Sequence, residues 1–297
     1  MACGPRDFPF SFLAASPPRK KSESHNDKSW RMTEFTLITF NCFGIPGPLT
    51  QRRLAALATA LNASDATVVC LQEVQAHPYR WQLTQGCRTF LHSAFEPHLH
   101  APKGGLLTLA RTPIDAVNFT DYHDRGQWYT PAIADITLGK GVLRTRFTID
   151  GQPVIVLNTH LSANYRGDWI SDNGYARTER RQLQQLAEIV RVQPFNALVI
   201  VCGDFNVPRD SALFREFLLA SGLRDPMNED TRATYRPLPG IPARFALPID
   251  FALVRGPEGA TLAAETQIIF GERVMFTPTA QGYLSDHLGL KLQVRVG

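Results

Sequence analysis

The chain has 297 residues, of which 44% are hydrophobic and 20% are charged, and its formal net charge is +4. These values are typical of a globular protein, and no apolar run approaches the roughly 18 residues that span a bilayer, so no transmembrane segment is predicted. The weak positive charge comes without dense Lys/Arg clusters, which argues against an extended DNA-binding surface.

Residues 1–32 differ in composition from the rest of the chain. The stretch "SPPRKKSESHNDKSW" is polar, charged and rich in Pro and Ser, which predicts a disordered N-terminal extension over 1–32. The apolar stretch "FPFSFLAAS" before it is barely long enough for a secretion signal, so a cytoplasmic location is favoured over a secreted one. Met32 directly precedes the ordered pattern, which is compatible with translation starting there. A single domain is predicted for 33–297, a length close to that of large one-domain α/β and all-β folds.

From residue 35 onward, strand-like and helix-like segments follow one another. Apolar and β-branched segments predict strands at "FTLITFNCF" (35–43), "TVVCLQEV" (67–74), "GGLLTLAR" (104–111), 132–161, "ALVIVCGDFN" (197–206), "PIDFALVR" (248–255) and "LGLKLQVRV" (288–296). The segment 132–161 is predicted as consecutive strands with turns at Gly139–Gly141 and Asp150–Gly151. Helical spacing of apolar residues predicts helices at 49–64, 178–192 and 211–222.

The helix ends carry local signals. Thr50 and Ser211 are predicted N-caps, and Gly222 is predicted to close the last helix. One helix follows the first strand, then come mostly strands, then a helix, a strand, a helix and further strands. This order lacks the strict βα alternation of a barrel or a doubly wound sheet, and it favours two packed sheets with helices outside them.

The cysteines do not indicate a disulfide framework or a zinc site. Their number, five, is odd, and the chain has no CxxC pair. Cys42, Cys70 and Cys202 lie in or beside apolar strand-like runs, so they are predicted to be buried thiols.

Polar residues recur where apolar strands meet loops. They are Asn41, Gln72 and Glu73, Asn158 and His160, Asp204 and Asn206, Asp250, and Asp286 with His287. Any one of them alone is most simply explained as a residue that caps a turn. Six such strand ends favour a shared cleft instead, because strand ends in packed sheets share an edge where side chains can converge.

The residue types in this set suit phosphoester hydrolysis. Carboxylate and carboxamide oxygens, such as those of Glu73 and Asn41, suit a Mg²⁺ ion that keeps most of its water. A His–Asp pair can activate water, and a second imidazole with the Asn206 amide can donate to a charged oxygen. A metal, an activated water and donors around an oxyanion are together what phosphoester hydrolysis needs.

Five motifs in order, "LQEV", "NTHL", "GDFN", "IDFALV" and "SDH", resemble the endonuclease/exonuclease/phosphatase superfamily over about residues 34–296. The resemblance implies a deoxyribonuclease-like four-layer α/β/β/α sandwich of two mainly antiparallel sheets, with 33–297 as its catalytic domain. It implies Mg²⁺, with Mn²⁺ as a substitute, bound by Glu73 with Asn41 beside it and Asp286 nearby.

The same resemblance implies catalytic roles. His160 donates to a phosphate oxygen, Asp204 orients the attacking water or assists the leaving group, and Asn206 steadies the phosphate or the nucleophile. His287 acts as general base or as phosphate donor, and Asp250 holds its ring NH and so fixes its tautomer.

Within the superfamily, "FNCFGIPGPLTQRR", "KGGLLTLARTPI" and "NTHLSANY" resemble neutral sphingomyelinases. This favours a Mg²⁺-dependent phosphodiesterase that converts sphingomyelin to ceramide and phosphocholine, with phospholipid favoured over nucleic acid, peripheral membrane contact and a monomeric state. The alternative is a nuclease or another phosphoesterase of the superfamily. A third option is a binding module that has lost catalysis, which is disfavoured because Glu73, Asp204, Asn206 and His287 are all present.

Two stretches, 121–131 and 164–180, mix aromatic residues with arginines. Trp128, Tyr129, Trp169 and Tyr175 are candidates to stack on a base, to surround a choline ammonium or to touch lipid, although packing onto the sandwich is favoured for each. For Arg177, Arg180 and Arg181 a solvated helix face is favoured over contact with phosphate.

Overall fold

The structure is a computed structural model that describes residues 1, 2, 4, 32–126, 137–228 and 230–297. The strands are β1 (Thr33–Asn41), β2 (Val68–Gln72), β3 (His92–Ala94), β4 (Leu107–Ala110), β5 (Ala116–Asp121), β6 (Gly141–Ile149), β7 (Gln152–His160), β8 (Leu198–Asp204), β9 (Asp250–Arg255), β10 (Leu262–Ile269), β11 (Arg273–Thr277), β12 (Ala280–Tyr283) and β13 (Gly289–Val296). The helices are α1 (Thr50–Asn62), α2 (His77–Gly86), α3 (Gly174–Arg191) and α4 (Ala212–Ser221), with short 3₁₀ turns at Lys103–Gly105 and Ala243–Phe245.

Two sheets dominate the fold. The first has the order β10-β13-β1-β2-β4-β3 and the second the order β5-β6-β7-β8-β9, while β11 and β12 form a separate ribbon. The β1–β2 and β7–β8 pairs are parallel, and the other neighbours are antiparallel. The predicted pair of mainly antiparallel sheets is therefore confirmed.

Three apolar clusters separate four layers. One lies between the sheets, a second joins the first sheet to α1 and α2, and a third joins the second sheet to α3 and α4. In β1, Phe35 and Leu37 belong to the cluster between the sheets, whereas Ile38 and Phe40 belong to the helix-facing cluster. Successive side chains of a strand point to opposite faces, so a strand covered on both faces needs apolar residues at nearly every position. The two packed sheets with outer helices predicted from the pattern, and the α/β/β/α sandwich that the family resemblance implies, are both confirmed.

The local predictions have mixed outcomes. Ser211 accepts the Phe214 backbone N–H and Gly222 closes α4 in the left-handed conformation, as predicted. Thr50 is not an N-cap: it is the first helical residue after Leu49, and its hydroxyl donates to the Ile45 carbonyl. The cap prediction failed because a hydroxyl can bond backward to a loop carbonyl as readily as forward to a helix N–H.

Part of the predicted 132–161 strand series is wrong. Strands β6 and β7 and the turn at Asp150–Gly151 are present, but Thr137 and Leu138 are helical. Residues 127–136 lie outside the described residues, as does nearly all of 1–32, so the disordered extension and the domain boundary at residue 33 stay predictions. Among the described residues, no helix is long and apolar enough to cross a membrane.

Cys42, Cys70 and Cys202 are buried free thiols, as predicted, and so is Cys87. Burial raises the pKa of the Cys42 and Cys87 thiols to about 12. These side chains act as small apolar residues of the core.

Strand register brings the polar strand ends together. The parallel pairs place Asn41 opposite Gln72 and His160 opposite Asp204, and the antiparallel β8–β9 pair places Asp204 opposite Asp250. The two sheets are also joined through their interior, where the Gln72 amide donates to Asn158 Oδ1 at 2.8 Å. The predicted strand-end residues of both sheets therefore meet at one edge of the sandwich.

Replacing Gly203 with alanine is expected to lower the free energy of unfolding by about 3 kcal/mol, because steric overlap and backbone strain act together. Gly203 has φ +139°, and a Cβ there would lie 1.8 Å from the Thr159 carbonyl oxygen on the paired strand. The matched control is Gly151→Ala, at φ +82° with no described atom within 4 Å, which adds only backbone strain of about 1–2 kcal/mol. Urea unfolding measures both variants, and equal losses would contradict the role of the close approach.

Candidate active site

All eight predicted site residues lie together at the shared edge of the two sheets. Six of them line one cleft of about 680 Å³: Glu73, His160, Asp204, Asn206, Asp286 and His287. Asn41 and Asp250 are buried behind this lining and hydrogen-bond to it. The convergence expected from the strand ends is present in the structure.

Asp204 is the hub of the cluster. Its Oδ2 accepts the Asn41 amide at 3.0 Å and lies 3.3 Å from His160 Nε2 and 3.6 Å from His287 Nε2. Its Oδ1 accepts the backbone N–H of Asn206 at 3.0 Å. One carboxylate thus fixes the relative positions of two imidazoles and an amide.

The ring of His287 is oriented by Asp250. Nδ1 of His287 lies 2.9 Å from Asp250 Oδ2, which leaves Nε2 on the side of Asp204 and the cleft. Asp250 is held in turn by backbone bonds, because its N–H donates to the Thr234 hydroxyl and its carbonyl accepts from Arg209. A carboxylate that accepts Nδ1–H leaves Nε2 as the atom that exchanges protons.

The two imidazoles have opposite charge preferences. Burial opposes the charged form of His287, but the carboxylates of Asp250, Asp204 and Asp286 outweigh burial and raise its pKa from 6.5 to about 10. Burial lowers the pKa of His160 well below 6.5, and the positive charges of Lys140 and His287 lower it further. Burial also raises the pKa of Asp204, to about 7. At neutral pH, His287 therefore carries the positive charge of the cluster and His160 is neutral.

Glu73 is held in an unusual backbone conformation directly after β2. It has φ +56°, and its carbonyl accepts the Gly44 N–H at 2.8 Å. A side chain at position 44 would meet that carbonyl at 2.2 Å, so the Gly of "FGIP" is needed for this close approach. Strained non-glycine residues of this kind cluster at active sites and ligand-binding sites.

The Glu73 carboxylate has the features of a cation ligand. Its Oε1 accepts the Asn41 amide at 3.0 Å, whereas the buried Oε2 finds no hydrogen-bond partner among the described residues. Burial raises the pKa of both Glu73 and Asp286, which line the same cleft, and the charge of Asp286 raises the pKa of Glu73 further. A divalent cation would satisfy the unpaired oxygen and offset the charge, so these residues fit Mg²⁺ or Mn²⁺.

The structure groups a different set of possible metal ligands from the predicted Glu73, Asn41 and Asp286. Ligand atoms of Glu73, His160 and Asp204 lie within 4.8 Å of one another, a grouping not predicted from the sequence. Asn41 directs its amide nitrogen toward the carboxylates, and its Oδ1 accepts the Phe43 backbone N–H at 3.0 Å. In this arrangement Asn41 orients Glu73 and Asp204, and its role as a metal ligand stays a prediction.

Asn206 stands on the cleft wall in a left-handed conformation, with φ +54°. Its amide nitrogen donates to the Leu161 carbonyl at 3.0 Å. Lys140 also lies in the cleft wall, and its ammonium group donates to the same carbonyl at 2.6 Å. Lys140 was not predicted from the sequence, where its only signal is a lysine between two glycines at a strand start.

Arg53 is a second residue that sequence reasoning missed. Its buried guanidinium on α1 donates to the carbonyls of Cys42 and Leu284, at 2.5 and 2.6 Å, and to that of Phe43. These acceptors lie next to Asn41 in one segment and just before Asp286 and His287 in the other. Arg53 therefore ties the two site-bearing loops together.

The predicted substrate contacts separate into two groups. Trp169 lines the cleft and donates through its indole N–H to the buried Glu179, while the Tyr175 ring packs edge-on against Tyr165. Trp128 and Tyr129 lie outside the described residues. The arginines of α3 form surface ion pairs, Arg177 with Asp172, Arg180 with Glu216 and Arg181 with Asp124, which confirms the solvated helix face.

Replacing Asp250 with asparagine is expected to lower the pKa of His287 by at least about one pH unit, because an opposite charge in contact raises a histidine pKa by one to three units. NMR titration of the imidazole in EDTA measures the change. Asp210→Asn, an exposed carboxyl on a loop away from the cleft, is the control. An unchanged His287 pKa in Asp250→Asn would show that the other carboxylates alone hold the charge.

Comparisons with known proteins agree with this geometry. Residues 38–287 match the Endonuclease/Exonuclease/phosphatase family. A Drosophila melanogaster protein named "Putative neutral sphingomyelinase" is 27% identical over 277 residues, which is 89% of this chain. The chain spans 61% of the length of that relative.

Solved structures share the fold at low sequence identity, and each comparison covers 88% of this chain. Sphingomyelinase C from Streptomyces griseocarneus has a TM-score of 0.64 at 20% identity over 99% of its chain. A beta toxin mutant from Staphylococcus aureus with bound magnesium ions has a TM-score of 0.66 at 16% identity over 99% of its chain. D. rerio TDP2 complexed with a single strand DNA product has a TM-score of 0.67 at 18% identity over 98% of its chain. With its two sheets, its strand-end cluster and the match over residues 38–287, the chain belongs to the endonuclease/exonuclease/phosphatase family.

Proposed function

We propose that the chain is a divalent-metal-dependent phosphodiesterase that hydrolyses a phospholipid, most specifically sphingomyelin to ceramide and phosphocholine. The observation that carries the proposal is the convergence of Glu73, His160, Asp204, Asn206 and His287 on one cleft. Contact with a membrane from one side, a monomeric state and a cytoplasmic location belong to the same proposal.

Glu73 would hold the metal, with Asp286 beside it and Asn41 orienting the carboxylate. When bound, Mg²⁺ supplies positive charge that stabilises the developing negative charge on the phosphate oxygens. The unpaired Glu73 Oε2 and the raised pKa values of Glu73 and Asp286 support this placement, because a buried carboxylate pair without a cation is costly.

The other residues would act on the phosphate and the attacking water. Asp204 orients the water, and His287 moves a proton at Nε2, with Asp250 holding Nδ1. His160, which is neutral at physiological pH, donates from Nε2 to a phosphate oxygen, and the Asn206 amide steadies the same group. Each of these donors faces the cleft from a different strand end, so the phosphate is bound on several sides at once.

The cleft wall supports a substrate with an apolar part. Among the described residues that line it are Ile45, Trp169, Ile241, Phe245 and Leu247. Lys140 is the one lysine among the described lining residues and is itself buried, and none of them is an arginine. A channel for nucleic acid usually carries several exposed Lys or Arg side chains along the phosphate backbone. The similarity to the Drosophila relative supports the same substrate class.

A nuclease is the second candidate, since D. rerio TDP2, which binds a single strand DNA product, shares the fold. The deciding experiment offers sphingomyelin in mixed micelles, an abasic-site duplex, and single- and double-stranded DNA, each with Mg²⁺ and with EDTA. Phosphocholine release that EDTA abolishes, with intact DNA, is the expected result. Cleaved DNA with intact lipid would assign the chain to the nucleases, and folded protein inactive on every substrate would contradict the hydrolase proposal.

A further inference from the structure

Two exposed loops of similar composition carry apolar side chains beside the cleft. They are "IPGPL" at 45–49 and "LPGIPA" at 238–243, and together we name them the apolar rim. All eleven residues are exposed and none is charged. The relative exposures of Ile45, Leu49, Leu238 and Ile241 are 43%, 45%, 38% and 40%. Single exposed apolar residues are common on proteins, but two uncharged runs of five and six residues are not explained in that way.

The apolar rim lies at the entrance to the catalytic cluster. Ile45 and Ile241 line the same cleft as Asp204 and His287, so each loop of the rim reaches the cleft. A surface that docked on the rim would therefore be presented directly to the site.

Part of the rim backbone is hydrogen-bonded within the protein, and part of it needs no hydrogen-bond acceptor. Four of its residues are prolines, which lack an N–H donor. In the first loop, the Ile45 carbonyl accepts from the Thr50 hydroxyl, the Gly47 carbonyl from the Thr50 N–H, and the Leu49 carbonyl from Arg53.

Carbonyls of the second loop also accept hydrogen bonds from nearby residues. The Leu238 carbonyl accepts from Ile241, the Pro242 carbonyl from Phe245, and the Ala243 carbonyl from Ala246. A segment that enters an apolar environment must satisfy its backbone internally, because each unpaired group there costs several kcal/mol. Six of the eleven rim carbonyls meet this condition through hydrogen bonds within the protein.

Basic residues flank both loops. Arg52 follows the first loop on α1 and Arg244 follows the second, and both are exposed. Apolar side chains with arginines at their edge match the interfacial zone of a bilayer, where acyl chains lie next to phosphate groups. A second copy of this chain would place these same arginines against each other, so the charge favours lipid as the occupant.

We propose that the apolar rim inserts into the interfacial region of a lipid membrane, so that the cleft opens onto the membrane surface. The inference rests on the proposed function, since it supplies the surface from which a phospholipid would enter the site. It assigns membrane contact to residues 45–49 and 238–243 in particular.

The test uses the full chain and sedimentation with extruded vesicles of phosphatidylcholine and sphingomyelin. The variant is Leu49→Ser/Leu238→Ser, at positions that are exposed and do not line the cleft. Serine is a good residue immediately before α1, so the change at 49 is compatible with folding. The matched control is Leu91→Ser/Leu219→Ser, two leucines that are 80% and 87% exposed away from the cleft. Hydrolysis of bis(p-nitrophenyl) phosphate without vesicles checks the site itself.

The expected result is vesicle binding by the wild type and the control, and binding about tenfold weaker for the rim variant, because partitioning scales with buried apolar area. Hydrolysis of the soluble diester should be equal in all three. Equal binding by the rim variant, absent binding by the wild type, or a dimer that the rim substitutions dissociate in size-exclusion chromatography would overturn the proposal. Vesicle binding that the rim substitutions weaken, without hydrolysis of any diester, would support membrane insertion of the rim and contradict the proposed function instead.

Discussion

Replacing His287 with asparagine is expected to lower kcat by about a thousandfold, within the range that a positioned proton-transfer group contributes. His287 is the residue that carries positive charge among the three carboxylates of the cluster, and its Nε2 faces the cleft. Asparagine keeps a polar side chain of similar length beside Asp250 but cannot move a proton at this pH. Steady-state kinetics on the best phosphodiester substrate measures the loss.

The control for this substitution is His123→Asn, an exposed histidine outside the cleft, which should retain full activity. A kcat within about threefold of wild type for His287→Asn would contradict its place in the mechanism, since a group that transfers a proton contributes at least about a hundredfold. Circular dichroism should show a native spectrum for both variants.

The same substitution is expected to change how stability depends on pH. The pKa of His287 rises from 6.5 to about 10 on folding, so the folded state binds the proton more tightly than the unfolded chain. This contribution to stability is fully present below pH 6.5 and is lost as the pH rises through about 10. Urea unfolding in EDTA at pH 6 and pH 9 should therefore show a smaller loss of stability for His287→Asn than for the wild type.

Replacing Glu73 with glutamine is expected to weaken Mg²⁺ binding by at least about tenfold and to lower turnover by at least about a hundredfold, since the proposed metal would lose the charged ligand that follows β2. Titration calorimetry on EDTA-treated protein measures the affinity without reference to activity.

Thermal unfolding separates loss of the metal from loss of the fold. Mg²⁺ should raise the Tm of the wild type and leave the Tm of Glu73→Gln nearly unchanged, because a ligand stabilises only the state that binds it. Without Mg²⁺, Glu73→Gln should be at least as stable as the wild type, since the substitution removes a buried carboxylate with an unpaired oxygen. Glu34→Gln, an exposed partner of Arg295, is the matched control. Equal Mg²⁺ affinity in wild type and Glu73→Gln would refute the assignment of Glu73.

Much of this site could be predicted because strands covered on both faces leave a clear pattern. The runs that end in His160 and Asp204 are buried at nearly every position, and the run that ends in Asn41 mixes apolar residues with β-branched threonines. Each polar residue therefore marks the end of a buried strand. Strand ends of packed sheets meet at an edge, and the convergence followed from that. Helix α2 and strands β10, β11 and β12 were missed because their apolar positions alternate weakly or are partly exposed.

The sequence by itself determined two packed sheets with outer helices and the set of polar residues at the strand ends, because these depend on local periodicity. The four-layer arrangement followed from the resemblance of its motifs to the family. Tertiary structure alone decided that Arg53 would bridge carbonyls at positions 42 and 284, and that Lys140 would stand in the cleft wall. It also decided the opposite charge preferences of His160 and His287, because the pKa of a buried imidazole depends on which charges surround it in space. Those neighbours come from strands far apart in the chain, and no local pattern encodes their distances.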